Sequence, residues 1–493
     1  MPPVVRLTRP LLLAAVTLGL ICSPARAADT HGRSAAPDSG ALHVHWMRGF
    51  AAPGTPARYD KVGVLEVGPR TARNVLVLEP GTSAGSAYFL PLAQWLVSRV
   101  HGWQVWSVER RENLLEDQSR LNLAKTGRLN ATQLFDYYLG WLLPGAYSGP
   151  HLSLIPDSKV EFAKQWGMKV AVEDLHHVIA AARRRGGLVV LGGHSLGGAV
   201  VTAYATWDFS GHAGADQLAG LVYIDGGSAP PVDAPSAREE LTVLNSSETS
   251  PWLSFGGIGA PFAGLFSAAG ATAALIDPDG ASLAQSSGLL NPFHLTPDVP
   301  VTNLAQFGFA LNVGTSPAGL IAAQAHLGPG LTAAGPLHGW NSAGALTPIT
   351  RYAEMFAGSG VDGADGSEWY FPQRLTIDTG AVGDGLANPA QEVLGVDATM
   401  GRNLPKALDI YAFGARLGGA GVLTDAQGLA AESGIPAKNV MLINRASTYA
   451  HNDPAGAYPR NAFFSGLVRF LERVQTPPAK APPPKTPPPK STR

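Results

Sequence analysis

The chain has 493 residues, of which 45% are apolar, 15% charged and 8% aromatic, and its formal net charge is −1. That apolar content excludes a mainly disordered protein, which would be poor in apolar residues and rich in unbalanced charge. With 36 basic against 37 acidic residues there is no global positive field to neutralise phosphates, so an ordinary nucleic-acid binder is excluded as well. The length fits two or three domains, or one α/β core carrying a large insertion.

The first 27 residues read as a secretory signal peptide. Arg6 and Arg9 give a basic start, Leu11 to Ile21 form an apolar run too short to span a bilayer, and Ala25-Arg26-Ala27 is an A-x-A cleavage pattern. The expected location is therefore secreted, periplasmic or cell-envelope, with no transmembrane anchor after cleavage. The only cysteine, Cys22, lies inside this segment, so the mature chain has no disulfide framework, thiolate metal site or cysteine nucleophile. At the other end, residues 476–493 are proline and lysine with no apolar face to bury. They read as an extended, solvated tail, either an inert extension or an arm contacting an anionic envelope. Removing the seven positive charges at the two ends leaves 29 basic against 37 acidic residues, a net of −8, in the body between.

Within that body, short apolar runs alternate with helix-like segments. Leu42 to Met47 and Val62 to Val67 suit an antiparallel pair joined by the Pro53 to Pro56 turn, and Asn74 to Glu79 reads as a buried strand ending at Pro80-Gly81. Leu90 to Val100 looks helical, Gln104 to Val108 is the next strand, and Arg120 to Gln165 holds one helix, Ala131 to Leu143. Val170 to Arg185 is a helix with basic residues in its last turn, followed by the strand Leu188 to Leu191. The alternation predicts a mostly parallel sheet with helices on both faces.

After that strand comes Gly193-His194-Ser195-Leu196-Gly197, a G-x-S-x-G pattern running into the helix-like Gly198 to Ala205. A strand that turns abruptly into a helix needs residues without bulk around its apex, and the strained serine there is left exposed. The helix start also directs free backbone N–H groups toward developing negative charge. With a further strand, Gly220 to Ile224, and a C-terminal histidine, the chain resembles an α/β-hydrolase of the lipase or esterase type over Leu42 to Val474. The resemblance implies an eight-stranded, mostly parallel sheet with the nucleophile after the fifth strand, and Ser195 follows the fifth strand of this count. The core would comprise residues 40–227 and 403–475, interrupted by an inserted cap at 228–402.

His451, in the loop between the strand Asn439 to Ile443 and the helix Phe463 to Val474, is the expected general base, because a serine hydroxyl is a poor nucleophile until a base takes its proton. His194 reads as packing beside the nucleophile, and His176-His177 as helix-face residues. The orienting acid is expected at Asp225, at the end of the sixth strand. Asp425 is the alternative, since many members place the acid after the seventh strand, here Leu408 to Phe413; an N-cap would be its plain structural role. Leu196 supplies one oxyanion N–H by analogy with the family, and Thr82, or Ser83 beside it, the other. That turn departs from the His-Gly found in many relatives.

The region from Gly226 to about Arg402 is rich in small and apolar residues, as expected of a cap lining an apolar pocket or of a helical subdomain with its own core. Leu375 to Asp378 is a possible strand within it. Glu109-Arg110-Arg111-Glu112 reads as mutual ion pairing, with recognition of a substrate carboxylate by either arginine as a rival. No H-E-x-x-H, EF-hand, Walker A or dinucleotide motif occurs, so neither metal nor cofactor is expected. The sequence reading is an exported serine hydrolase acting on a small-molecule or lipid-like carboxylic ester with an apolar acyl or alcohol group. An amidase or peptidase on the same scaffold, and a noncatalytic envelope-associated binding protein, are its alternatives.

Overall fold

The computed structural model describes residues 41–476 apart from 144, 146 and 256. The signal-peptide reading, Cys22 and the tail beyond residue 476 lie outside the described residues. The body is a twisted sheet built from β1 (Leu42–Arg48), β2 (Lys61–Val67), β3 (Asn74–Glu79), β4 (Trp103–Glu109), β5 (Val189–His194) and β6 (Gly220–Ile224), completed by β7 (Asp409–Gly414) and β8 (Val440–Asn444). Their spatial order is 1-2-4-3-5-6-7-8. β1 and β4 run antiparallel to β2, and every other neighbouring pair among the eight is parallel. A ninth strand of two residues, Val361–Asp362, pairs parallel with β1. The resemblance implied eight strands; the extra one comes from the insertion and covers part of an edge that would otherwise present unpaired backbone groups.

The buried strands are near-continuous apolar runs, as a sheet covered on both faces requires. Val75 to Leu78 and Val189 to Leu191 are all at most 2% exposed. The first helices are α1 (Leu90–Val97), α2 (Ser119–Lys125), α3 (Ala131–Tyr138), α4 (Met168–Arg183) and α5 (Leu196–Thr206). The 120–165 stretch thus ends a helix earlier than expected, and α2 overlaps its start without having been anticipated, because seven residues carry too little periodicity to be read.

Between β6 and β7 lie α6 (Ala234–Leu244), α7 (Ala260–Ile276), α8 (Leu283–Ser287), α9 (Asn303–Leu311), α10 (Ile349–Ala357), α11 (Gln373–Thr379) and α12 (Pro389–Leu394). α11 replaces the strand suggested for Leu375 to Asp378. There Arg374 and Asp378 pair one helical turn apart at 2.6 Å, and Asp378 also accepts the N–H of Met168 at the start of α4. The insertion has no separate core: residues of α7, α9 and α10 pack with sheet and α1 residues in the same two apolar clusters that run through the molecule. The chain closes with α13 (Gly419–Glu432), α14 (Asp453–Gly456) and α15 (Ala462–Gln475). Among the described residues no helix is long and apolar enough to cross a membrane.

Arg111 shows what holds the β1–β2 turn. It donates to both carboxylate oxygens of Asp174 on α4, at 2.9 and 2.7 Å, and to the Phe50 carbonyl at 2.9 Å. Both partners are buried, so removing one strands a charge in low dielectric, at a cost of about 3–5 kcal/mol. We expect Arg111→Met to lower stability by that amount in urea unfolding, and Arg111→Met combined with Asp174→Leu to recover much of it. Equal losses in the single and double variants would show that the pair does not act as a unit.

Candidate active site

Ser195 sits at the apex between β5 and α5 with φ 56° and ψ −126°, a left-handed conformation that costs an L-residue energy and persists only where its surroundings enforce it. The flanking glycines explain the pattern. A Cβ on Gly193 would lie 2.2 Å from the Gly197 carbonyl oxygen, and one on Gly197 would lie 2.3 Å from that of Glu79. Only hydrogen fits at either place. The serine N–H is fixed by the Ile224 carbonyl at 3.1 Å.

Asp225 follows β6 directly, also at positive φ, 46°. Its Oδ2 accepts from His451 Nδ1 at 2.7 Å and from the Leu417 N–H at 3.1 Å. Its Oδ1 accepts from the N–H groups of Ala415, Gly418 and Gly419 at 2.6, 2.9 and 3.2 Å. Burial alone would raise this carboxyl, but the hydrogen bond and charge of His451 and the ring of backbone donors prevail and hold it below its usual range. His451 therefore carries its proton on Nδ1, leaving the Nε2 lone pair for another partner. The turn after β7, where many relatives carry the acid, here supplies the donors that surround Asp225. Asp425 lies in the middle of α13 rather than at a helix start. It lines a small cavity with Tyr223 and Asp384 and makes no bond to His451.

Ser195, His451, His194, Tyr88 and Asn452 line one narrow recess with an internal volume of about 60 Å³. Its remaining walls are the Gly81 to Ala84 turn, Ala263, Gly264 and Ser267 of α7, Ala322-Ala323 and Phe356. Ser195 Oγ and His451 Nε2 are not hydrogen-bonded to each other, nor does either bond any other described residue; such contacts commonly tighten only around substrate. The N–H groups of Leu196 and Thr82 likewise donate to no described acceptor.

His194 packs beside the nucleophile as the sequence suggested, while Tyr88, Asn452 and Asp453 escaped the sequence reading. His194 Nε2 donates to the His451 carbonyl at 3.0 Å, and Tyr88 stacks on its ring at 5.0 Å. Burial, then the nearby His451, pushes His194 down to about 3, so it stays neutral. Tyr88 donates to Asn452 Oδ1 at 2.8 Å, and the Asn452 amide donates to the Ala322 carbonyl and to Tyr352. Asp453, fully buried, accepts from His326, Thr347 and the Ala450 N–H. The two residues after His451 are thus gripped by the insertion. Only their nearness to His451 could have marked them.

The charges after β4 are structural. Arg110 and Arg111 are 5% and 1% exposed and committed to Glu79, Glu368, Asp60 and Asp174. They do not line the recess, which removes the reading of either as a receptor for a substrate carboxylate. No group of His, Cys, Asp or Glu among the described residues is arranged to hold a metal.

A mostly parallel sheet in the order 1-2-4-3-5-6-7-8, with a strained serine turn directly after β5, is decisive for architecture. The fold is that of the α/β-hydrolases. No family model matches the sequence, and no curated protein matches it. Among solved structures, the chain is similar to a putative lipase from Sulfolobus solfataricus, at 13% identity over 89% of this chain and 98% of the other, with a TM-score of 0.43. It is similar to a soluble variant of monoglyceride lipase from Saccharomyces cerevisiae at 10% identity, 91% and 100% coverage and a TM-score of 0.37. A thermophilic esterase from Thermogutta terrifontis matches at 12%, 88% and 99%, with a TM-score of 0.36. Such distant likeness carries no functional argument; for this α/β-hydrolase fold, function has to come from its own residues.

Glu109, Glu112 and Glu368 are buried around Arg110. Desolvation pushes Glu109 up to about 8, against its bonds from Ser86. A carboxyl raised on folding contributes stability that is whole below its unfolded value, 4.5, and is lost as pH rises through about 8. We expect Glu109→Gln to remove that loss, so that its melting temperature gains on the parent's between pH 5 and pH 9. A difference that does not change with pH would show that the buried group is not protonated.

Proposed function

We propose that the protein is a serine hydrolase acting on carboxylic esters. One observation carries this reading: the imidazole held at 2.7 Å by a buried carboxylate opens onto the same recess as a serine at strained positive φ. In the first half-reaction Ser195 Oγ attacks the ester carbonyl while its proton passes to His451 Nε2. The carbonyl oxygen becomes an oxyanion that receives the free N–H groups of Leu196 and Thr82. Asp225, already ionised, stabilises the imidazolium. Collapse expels the alkoxide, which takes the proton from His451, and leaves an acyl-serine. Water repeats the sequence and releases the acid.

The recess is narrow at the serine, and its insertion-side walls are built largely from small residues. The apolar side chains among those walls, Ala263, Ala322, Ala323 and Phe356, support an apolar acyl or alcohol group. No metal or cofactor enters the scheme.

The decisive measurement combines labelling with turnover. A fluorophosphonate should label the parent protein and not Ser195→Ala, and Asp225→Asn should lower kcat by about 10⁴-fold while Asp425→Asn leaves it near the parent value. Labelling that survives in Ser195→Ala, or collapse only in Asp425→Asn, would refute the scheme. We further infer export, supported by residues 1–27 and their A-x-A pattern. N-terminal sequencing of the secreted protein should begin at Ala28; an intact Met1 on that material would overturn it.

A further inference from the structure

The turn that carries Thr82 is held mostly from outside. Its residues Pro80 to Ala84 leave β3 as a loop that includes Ser83 at φ 53°; within it only the long bond from the Ala84 N–H to the Gly81 carbonyl, at 3.3 Å, closes the turn, and the shorter bonds that fix it come from two other parts of the chain. One is the segment 365–368 of the insertion. Glu368 N–H donates to the Ser83 carbonyl at 2.9 Å, Ser83 Oγ donates to the Glu368 carbonyl at 2.7 Å, and the N–H groups of Gly85 and Ala87 donate to the carbonyls of Gly366 and Asp365. The other is a single side chain. Arg110, at the end of β4, donates through Nη1 to Glu79 at 2.8 Å and to the Pro80 carbonyl at 3.1 Å, and through Nη2 to the carbonyls of Gly81 and Ala84, both at 2.9 Å.

The bond to Gly81 has a geometric consequence. A trans peptide is planar, and its C=O and N–H point in opposite directions. The Gly81 carbonyl and the Thr82 N–H belong to one such plane. Drawing the carbonyl onto Arg110, beneath the turn, turns the Thr82 N–H away from Arg110. On that side lies the recess, where a Cβ on Gly81 would come 2.9 Å from that of Ser195. We propose that Arg110 is a positioning residue which, by gripping the Pro80, Gly81 and Ala84 carbonyls, sets the direction of the Thr82 oxyanion donor.

The side chain suits the task. Only a planar guanidinium presents enough forked donors to serve three carbonyls and a carboxylate at once, and a lysine would act as a point charge. Burial works against its charge, but Glu368, Glu79 and Glu112 prevail and keep it protonated. A guanidinium stays charged even when buried, and the hydrogen bonds to the carbonyls do the orienting. A donor misplaced by even an ångström would lose most of its effect on a developing oxyanion, because that effect depends on preorganisation.

This inference rests on the serine hydrolase reading and is tested so that the two can fail separately. Arg110→Lys keeps a positive charge beside Glu79 and Glu368 but cannot reproduce the fork. Rates are referred to sites titrated with a fluorophosphonate, so that any unfolded fraction drops out. We expect kcat on a p-nitrophenyl ester to fall about 10- to 100-fold, KM to stay within about threefold, and binding of a trifluoromethyl ketone, whose serine adduct bears an oxyanion, to weaken by the same factor as kcat. Glu109→Gln alters the same buried cluster and leaves all four Arg110 bonds in place, and it should keep kcat within about threefold. If Arg110→Lys retains the parent kcat and ketone affinity, or if Glu109→Gln loses as much as Arg110→Lys, the proposal is overturned while the hydrolase reading stands. Absence of fluorophosphonate labelling in the parent would instead remove the reading on which it rests.

Discussion

One carboxylate organises the catalytic end of this molecule. Asp225 takes hydrogen bonds from His451 and from four successive parts of the loop after β7, so it links the ends of β6, β7 and the loop after β8. Without it the buried Ala415 N–H would be left unsatisfied, and the N–H groups of Leu417 and Gly418 would lose their acceptor. The same bonds that keep the acid ionised also fix which nitrogen of His451 bears the proton. Orientation, tautomer and loop structure therefore depend on a single contact, and the strained backbone at position 225 is part of what that contact sustains.

The other side of the recess obeys a similar rule, with the charges reversed. There a buried cation rather than a buried anion gathers backbone groups, and the carbonyls of the turn after β3 converge on Arg110 as the amides after β7 converge on Asp225. The serine lies between a turn whose Pro80, Gly81 and Ala84 carbonyls are drawn onto Arg110 and a helix start whose first amides are free. The recess is thus lined by unpaired N–H groups, which is a favourable setting for negative charge and an unfavourable one for a cation.

The core strands were legible because buried parallel strands are short apolar runs punctuated by Gly and Pro, and the serine turn because steric necessity writes glycine at fixed positions. The strand count placed Ser195 after the fifth strand, and Asp225 and His451, chosen from the ends of elements, meet in space. Other parts were not legible. Asp425 looked like a helix start, yet α13 begins six residues earlier at Gly419, because glycines in the turn hid its first residues. Leu375 to Asp378 is apolar enough for a strand, and only an i,i+4 ion pair marks it as helix. Arg110 shows the larger limit. Its neighbours in sequence suggest ion pairing, whereas its bonds to the Pro80 to Ala84 carbonyls depend on β3 and β4 lying side by side, which local pattern cannot reveal.

The grip of the insertion on Asn452 and Asp453 has a consequence for how this architecture can change. An accessory flap can be swapped or trimmed without disturbing the machinery below it, but here the loop bearing the base leans on Ala322, His326, Thr347 and Tyr352. Excising the segment between β6 and β7 would strip Asp453 of three of its four donors and uncover the histidine loop to water. New specificities are accessible by resizing the small residues of α7 that face the recess, while the segments that brace the histidine loop are bound to stay.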